Sequence, residues 1–492
     1  MLTHKISEMR NRAYLLLLLL LPVLLTAQQP ARGNWTLAEA VAYARENNLQ
    51  VRRLDNSTEQ ARINLQQSKN NRLPTLSAGT GVNLQLGRTI DPTTNTFEAQ
   101  NIFSQGYQLQ GAVTIYNGGL IKNSLRQAEL DLQAAETDAE VTANDIGLQV
   151  ANSYLTILLT REQLANAEAQ LALTTEQLNN TDALIRAGSA PAADRYDILA
   201  QQASNQRSVV ELENQVRLAK LDLQLLLELD PDDNFDVITP ARDLEEVELL
   251  GDYDLQQVLN AAQQTQPTIR AAELRRSAAE VEKDIARSGL LPTLQLYANL
   301  SSNYSNLGKD FENPDLSEVE IVQGPPVPVI IDGQESTLST FSQTGVVFPN
   351  LGYVDQLNQN FGQSVGFNIS VPIYNQNRNR LNIQRAEVQR LGAEIEIEQA
   401  KNQLRSDVER ALGDLRAARE TYRAAQISQE AAQQAYDIAQ RRYSAGAANS
   451  LDLITATNRL EQARVEFTRT KYQLLFNREV IQFYLGQGLQ LN

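Results

Sequence analysis

Four segments of the chain alternate apolar and polar residues with a period of two, the spacing of a β-strand whose two faces meet different surroundings. In the first segment Leu76, Val82 and Leu84 share one face, and Ser77 and Asn83 lie opposite. The strands predicted in this way cover about residues 75–87, 106–116, 293–304 and 363–373.

The polar face of all four predicted strands consists of uncharged residues. A soluble sheet with one face in water also alternates. Strands of roughly ten residues with one apolar face and one neutral polar face are, however, typical of transmembrane β-barrels. The pattern therefore favours barrel strands over a soluble sheet.

Between the strands, apolar residues recur at helical spacing. The predicted helices cover about residues 37–72, 120–186, 191–229, 253–290, 378–443 and 450–486. The two longest would each extend for roughly 100 Å at about 1.5 Å per residue. Two shorter helices stacked end to end would match the length of each long one. Pro74 and Pro292 end a helix and mark the entry into a strand.

The helix predicted at 378–443 carries a heptad repeat, which is coiled-coil spacing. One line of the repeat is aliphatic or small: Ile397, Leu404, Ala411, Ala418, Ala425, Ala432 and Ala439. Small side chains on this line let helices approach closely. Taken alone, this helix favours an ordinary antiparallel bundle or a rod-like scaffold.

The chain also repeats itself once. The residues Arg72 to Leu76 recur as Leu290 to Leu294, and Ala187-Gly188 recurs 258 positions later as Ala445-Gly446. We therefore divide the chain into a first structural repeat, 28–250, and a second, 251–492. The loop between the strands of the second repeat, about 305–361, is about 40 residues longer than its counterpart at about 88–105. It contains Pro325-Pro326-Val327-Pro328, for which we expect no regular structure.

Residues 1–27 are predicted to be a secretory signal peptide, with a basic start, an unbroken leucine run over 15–21 and small residues before position 28. The chain has no cysteine, and its only histidine (His4) and both methionines lie in this segment. The rest of the sequence therefore excludes Cys/His zinc sites and Ser-His-Asp or Cys-His catalysis. We expect no enzyme activity, no cofactor and no metal centre.

The charge of the chain excludes a further class of partner. The formal net charge is −16, and the signal segment carries a net +2, which leaves −18 for the remainder. An acidic surface without a basic stripe argues against nucleic-acid binding.

Four strands cannot close a barrel. Two chains would supply eight strands, whose side chains fill the interior, whereas three would supply twelve and leave an open lumen. The expected fold is therefore membrane α+β, with four transmembrane strands and long coiled-coil-like helices per protomer. A homotrimer would form a 12-stranded β-barrel continued by an α-helical barrel.

The order helix–strand–strand–helix–helix in both halves, the Leu-Pro-Thr-Leu strand entries and the turn from Tyr443 to Leu453 resemble the TolC-type outer-membrane factor family. The resemblance extends from Trp35 to about Gly486. It implies a channel in the outer membrane of a Gram-negative envelope, with its helices in the periplasm. The implied partners are outer-membrane lipid, a periplasmic adaptor protein and an inner-membrane transporter of the RND or ABC type, in drug efflux or type I secretion.

The resemblance also assigns residues to a gate. An aspartate one turn past the second helical hairpin forms a selectivity ring in the family, and Asp452 matches it, whereas a second family aspartate falls on Thr455. Asp194 and Tyr443 match residues that hold the closed tip, and Gly188 and Gly446 match the periplasmic hairpin turns. The arginine of this clasp falls on Ala448, so this part of the lock is either absent or rebuilt. Three nearby arginines are candidates to substitute for it: Arg195, Arg441 and Arg442.

Other interpretations remain open at this point. Asp194 and Asp452 equally fit helix N-terminal capping after a glycine turn. A periplasmic coiled-coil scaffold or adaptor would explain the helices and the acidity but not the four neutral-faced strands. The transported substrate, the role of the 305–361 loop and the choice between a proton-driven and an ATP-driven pump are not encoded in any pattern that we find.

Overall fold

The computed structural model describes residues 34–90, 95, 97–98, 101–231, 234–239, 253–317, 319–344, 347–445 and 447–489. The predicted signal peptide at 1–27 and the turn residue Gly446 lie outside these ranges. The chain forms two compact units. A helical unit contains residues up to 60, 132–275 and those from 393 onward, and a sheet unit contains 61–131 and 276–392. Each unit combines segments from both predicted repeats, so the units do not follow the boundary at 250.

Eight of the nine helices in the described residues form four pairs of equal length, and the short helix at Tyr353–Gln359 has no counterpart. The nine helices are α1 (Leu37–Asn47), α2 (Leu49–Asn70), α3 (Leu120–Arg186), α4 (Ala192–Leu226), α5 (Leu255–Thr265), α6 (Pro267–Ser288), α7 (Tyr353–Gln359), α8 (Arg378–Ser444) and α9 (Ser450–Tyr484). The bounds of α8 and α9 lie 258 positions after those of α3 and α4, and the bounds of α5 and α6 lie 218 positions after those of α1 and α2.

The single helices predicted at 37–72 and 253–290 are wrong, because each is broken into two. Asn48 separates α1 from α2 with extended backbone angles, and Gln266 separates α5 from α6 in the same way. Pro267 disfavours helical angles at Gln266. The Asn48 side chain accepts from Gln50 N and donates to the Leu226 carbonyl at 2.9 Å, a local alternative to helix hydrogen bonding. We had no sequence signal for the Asn48 break.

One apolar core cluster of the helical unit includes Trp35, from the first strand of the chain. The strand β1 (Asn34–Trp35) pairs in parallel with β6 (Asp236–Val237). The buried Tyr154 hydroxyl lies 2.6 Å from the Ile238 carbonyl and 3.0 Å from that of Trp35, so it joins the residues at both strands. A second apolar cluster contains the predicted heptad residues Leu404, Ala411 and Ala418.

The sheet unit is built on four antiparallel strands in the order β12-β7-β5-β2. Their bounds are β2 (Thr75–Gln85), β5 (Ile102–Asn117), β7 (Thr293–Ser305) and β12 (Gly362–Ser370). Pro74 and Pro292 each immediately precede a strand, as the sequence pattern predicts. Strands β2 and β12 lie at the two edges.

The register of the ladder brings all four apolar alternations to the same side. The cross-strand pairs Ala78↔Leu109, Leu109↔Leu300 and Val365↔Ala298 join apolar residues. Ser77↔Gln110, Gln110↔Asn299 and Ser364↔Asn299 join neutral polar residues on the other side. Large apolar side chains are exposed on the first side, among them Leu76, Val82, Val365, Phe367 and Ile369.

A β-bulge corrects the predicted phase of the second strand. The strict alternation predicted over 106–116 would place Ile115 on the same face as Val113, but the register shifts between Thr114 and Tyr116. Tyr116 pairs with Leu294 instead, so the extra residue leaves Ile115 without a cross-strand partner.

The long loop after β7 is more regular than predicted. The strands β8 (Glu320–Gln323) and β11 (Phe341–Thr344) pair, as do β9 (Val327–Ile331) and β10 (Gln334–Leu338). The expectation of irregular structure is wrong from Val327 onward, because Asp332 and Gly333 take positive φ angles and close a tight hairpin turn. In the shorter loop, β3 (Thr89–Ile90) pairs with β4 (Phe97–Glu98).

Among the residues that the structure describes, no helix contains an apolar stretch long enough to cross a bilayer.

We expect Tyr154→Phe to lower the free energy of unfolding by about 0.5–1.5 kcal/mol, because the Ile238 carbonyl loses its bond to the hydroxyl, whereas the Trp35 carbonyl still accepts from the Ile238 amide. Burial raises the pKa of Tyr154 to about 12, so the hydroxyl remains a donor at neutral pH. Chemical denaturation followed by circular dichroism measures the change. Tyr196→Phe, at a side chain that is 67% exposed, is the control, and equal stability of the two variants would contradict the role of Tyr154.

Candidate gate at the paired helix turns

Two turns connect long helices to shorter ones, one between α3 and α4 and the other between α8 and α9. In both turns the same type of backbone hydrogen bond closes the end of the preceding helix. The Ser189 amide donates to the Leu184 carbonyl at 2.9 Å, and the Ala447 amide donates to the Arg442 carbonyl at 2.8 Å. This is the six-residue bond of a helix C-cap that needs a left-handed residue before it. Gly188 has φ +73° and meets that need. The structure does not describe Gly446, the residue at the equivalent position.

The two turns face one cleft of about 670 Å³. Asp194, Tyr443 and Asp452 all line it, so the structure brings together the three predicted gate residues of one protomer. The remaining lining is mostly small: Leu184, Ser189, Ala190, Pro191, Ser444, Ala445, Ala447, Ala448 and Asn449. Small side chains leave the carboxylates unobstructed in the cleft.

Ser450 links the two turns. Its hydroxyl is 3.3 Å from Asp194 Oδ1 and 3.2 Å from Asp197 Oδ2. A hydroxyl has one hydrogen to donate, so the two carboxylates share this donor. Ser450 is only 4% exposed, which strengthens the hydrogen bond. Our sequence reasoning missed Ser450 and Asp197. The signal available was their position beside Asp452 and one helical turn after Asp194.

Tyr443 is buried against the first hairpin. Its hydroxyl lies 3.1 Å from the hydroxyl of Thr181, and its ring packs in a small apolar cluster with Ile198 and Leu453. Burial raises the pKa of Tyr443, the Thr181 hydrogen bond lowers it, and the negative charge of Asp194 raises it again. The net direction is upward, so Tyr443 stays neutral at physiological pH.

Asp452 does not cap its helix, which resolves one of the alternatives left open by the sequence. The N-cap is Asn449, whose side-chain oxygen accepts from the Asp452 amide at 2.9 Å. The Asp452 carboxylate is exposed in the first helical turn, where the positive end of the helix dipole favours a negative charge. Asp194 also lies in a first turn, and its helix begins after Pro191 without a side-chain cap.

Two of the arginines that could replace the missing clasp residue have other partners. Arg195 Nε donates to Asp182 Oδ1 at 3.0 Å, and Arg441 Nε donates to the Asp437 carbonyl at 3.2 Å. Ala448, at the position of the family arginine, lines the cleft. The contact that links the two turns runs instead from Ser450 to Asp194 and Asp197.

The residues that the structure describes contain no group of three or more histidine, cysteine or acidic side chains placed to hold a metal ion.

Comparison with known proteins identifies the family of the chain. A family model described as outer membrane efflux protein matches residues 41–228 and 350–487, which is more than half of the chain. The chain is 27% identical over 247 residues to the pyoverdine export outer membrane protein OpmQ of Pseudomonas aeruginosa. That alignment covers 49% of this chain, and the chain spans about half (51%) of the length of this curated relative.

Solved structures share the fold. The structure of CusC covers 92% of this chain and 92% of its own, with a TM-score of 0.72 and 17% identity. The outer membrane protein VceC from Vibrio cholerae has a TM-score of 0.71 and 16% identity, over 92% of this chain and 97% of its own. At these identities the likeness is one of fold.

We expect Ser450→Ala to loosen the contact between the two turns, because a hydrogen bond to a carboxylate contributes about 1.5–3 kcal/mol. The chain lacks cysteine, so spin labels can be placed at Ala187 and Ala447, one in each turn. Pulsed electron resonance should show a longer and broader distance distribution in the variant. Ser444→Ala, whose hydroxyl bonds only the Arg441 carbonyl of its own helix, is the control. The same distribution in both variants would exclude the linking role.

Proposed function

Because the chain belongs to the outer membrane efflux protein family, we propose that it is the outer-membrane exit duct of an efflux or type I secretion system. In this function it conducts substrates and catalyses no reaction. A periplasmic adaptor and an inner-membrane transporter deliver the substrate to its helical end, and the strands carry it across the outer membrane.

The observation that carries the proposal is the division of the four-stranded sheet into two unlike faces. One face exposes large apolar side chains such as Val365 and Phe367, at 74% and 65% exposure. The other carries neutral polar side chains such as Gln110 and Asn299. Lipid on the apolar side and water on the polar side would satisfy both faces. A coiled-coil scaffold in the periplasm would leave the apolar face in water.

The open edges of the sheet support a trimer. Strands β2 and β12 each present one unpaired row of backbone donors and acceptors, which must be paired inside a bilayer. Pairing β2 of one protomer with β12 of the next removes every edge when three protomers close a ring of twelve strands. The long helices of the three protomers then form an α-helical barrel.

The paired turns act as the gate in this proposal. In a trimer, three copies of Asp452 approach the threefold axis and form a ring of carboxylates. Such a ring attracts cations and repels anions in a narrow passage. Ser450, Asp194 and Tyr443 hold the two turns of each protomer together, so that opening requires their contacts to separate.

The substrate follows from the transporter with which the duct assembles. OpmQ is described as a pyoverdine export protein, which favours a small secreted molecule as the cargo of this chain too. Drug efflux, metal efflux and protein secretion differ in their inner-membrane partner. Isolation of the adaptor complex separates an RND transporter from an ABC transporter.

Conductance in planar bilayers tests the proposed function. We expect the purified protein to require detergent, to have the mass of three protomers and to conduct ions after reconstitution. Asp452→Ala should weaken block by multivalent cations by about tenfold or more, because the ring loses its charge. Thr455→Asp should strengthen the block, since it adds a carboxylate one turn further along α9.

Two outcomes would contradict different parts of this proposal. A monomer that stays dissolved without detergent would exclude the channel. A conducting trimer in which Asp452→Ala is blocked as strongly as the unaltered protein would keep the channel and exclude Asp452 from selectivity.

A further inference from the structure

The four points at which a helix meets a strand of the sheet unit lie at one end of the sheet. Helices α2 and α6 lead into β2 and β7, whereas α3 and α8 follow β5 and β12. In the ladder Thr293 pairs with both Asn117 and Ser370, so these strand ends are adjacent. The opposite end carries the two loops, residues 86–101 and 306–361. We call the two ends of the sheet the helix end and the loop end.

The two ends carry opposite charge. The two loops together contain ten carboxylates and only two cations. At the helix end, the segments 64–74, 117–128 and 371–386 contain seven cations and no carboxylate. The whole chain has a formal net charge of −16, so this local excess of positive charge runs against its composition. We call the seven cations the basic collar: Lys69, Arg72, Lys122, Arg126, Arg378, Arg380 and Arg385.

The cations of the basic collar are exposed and lack acidic partners. All seven side chains are exposed. Within the described residues, the ion pairs of the sheet unit involve the cations of α6 and Arg390 instead. Arg385 donates to the Asn382 side chain at 3.0 Å, which leaves its charge uncompensated. The collar therefore presents positive charge that only a partner from outside the chain can neutralise.

The packing of α8 against α6 directs two collar arginines away from the protein's own helices. Glu387 Oε2 lies 2.5 Å from Lys283 Nζ, so the Glu387 side of α8 faces α6. At 3.6 residues per turn, Arg378 and Arg385 lie about 180° and 160° around the helix from Glu387. They are seven positions apart and so share one side of α8.

The start of α3 is arranged in a similar way. Gln127 donates to Glu282 of α6 at 2.8 Å, which identifies the side of α3 that faces its neighbour. Lys122 and Arg126 lie about 140° and 100° around the helix from Gln127 and share a side with each other. Both cations therefore also point away from α6.

The apolar surface of the sheet ends where the basic collar begins. Large apolar side chains are exposed at the helix end, and Ile373 and Tyr374 reach 95% and 83% exposure. Arg378 follows four positions after Tyr374, and Arg72 directly precedes the exposed Leu73. Tyrosine rings are enriched where a membrane meets water. The collar is thus continuous with the face that we assign to lipid.

We propose that the basic collar binds the phosphate groups of anionic phospholipids in the membrane leaflet on the helix side. The inference rests on the proposed function, because it requires the apolar face of the sheet to lie in a bilayer. Clusters of basic residues beside a membrane span attract anionic headgroups. The acidic loop end repels the same headgroups, so the opposite charges of the two ends also fix the direction in which the sheet crosses the membrane.

The dimensions of the collar fit a headgroup layer. This layer is about 5–8 Å deep in each leaflet. At about 1.5 Å per residue, Lys122 and Arg126 lie roughly 3 Å and 9 Å along α3 from its first residue. Lysine and arginine side chains are long enough to place their charged groups within the layer while their stems cover apolar surface.

Spin-labelled phospholipids test the proposal on the full-length protein in phosphatidylcholine bilayers. Electron resonance separates lipid held at the protein surface from free lipid. It therefore gives the association constant of phosphatidylglycerol relative to that of phosphatidylcholine. We expect a ratio of about three or more for the unaltered protein at low salt. In 1 M salt, where the screening length is about 3 Å, the ratio should fall towards one.

Substitutions then locate the preference in the collar. Arg378→Gln with Arg385→Gln should lower the ratio by about half, and the further changes Lys122→Gln and Arg126→Gln should bring it close to one. Arg378→Lys with Arg385→Lys should retain the ratio, because the charge remains.

A matched control removes two exposed arginines that are also seven positions apart on α8 but lie 38 positions further along it. Arg416→Gln with Arg423→Gln should leave the ratio unchanged. An equal loss in this control would overturn the proposal, since net charge rather than the collar would then set the preference.

Two further outcomes separate this proposal from the channel itself. Equal association of both phospholipids with the unaltered protein would overturn the role of the collar and assign its cations to an anionic partner other than lipid. The lipid held at the protein surface would in that case still support a membrane-spanning sheet. If neither phospholipid is held at the surface, the sheet does not lie in the bilayer, and the collar proposal and the proposed function both fail.

Discussion

The register of the four-stranded sheet is the constraint on which the rest of the structure depends. An apolar alternation along one strand has a functional meaning only if the neighbouring strands are in phase with it, because a shift of one residue reverses every side chain. The ladder from β12 to β2 keeps this phase across all four strands. At Tyr116 it does so through a bulge, which takes up one extra residue and returns an aromatic side chain to the apolar side.

Much of the fold could be predicted, because its patterns are long and regular. The 67-residue helices α3 and α8 have the length expected from their helical and heptad spacing. The breaks at Asn48 and Gln266 were missed, since a single residue carries each of them. The parallel pair β1–β6 was also missed, because two strands of two residues, 202 positions apart, leave no periodic signal. In the long loop, the prolines around position 326 led us to expect no regular structure. The Asp332-Gly333 pair that follows is a sequence signal for a tight hairpin turn.

In the candidate gate, too, features set by neighbouring residues could be predicted, whereas contacts between residues far apart in the chain could not. Gly188 and the first-turn position of Asp452 follow from turn chemistry and were visible in the sequence. Capping by Asp452 was one of two interpretations that the sequence left open, and the structure gives the cap to Asn449 instead. The link from Ser450 to Asp194 and Asp197 joins residues some 250 positions apart, so only the packing of the two hairpins reveals it. The hydrogen bonds that Thr174, Gln177 and Thr181 of α3 make with α4 and α8 follow the same rule.

The most direct test of the account asks what each face of the sheet touches. Spin labels placed singly along β12, from Ser364 to Ile369, are compared in lipid bilayers for contact with oxygen, which dissolves in lipid, and with a water-soluble relaxation agent. The account predicts that oxygen contact is highest at Val365, Phe367 and Ile369 and that contact with the water-soluble agent is highest at the alternate positions. High contact with the water-soluble agent at every position would contradict it.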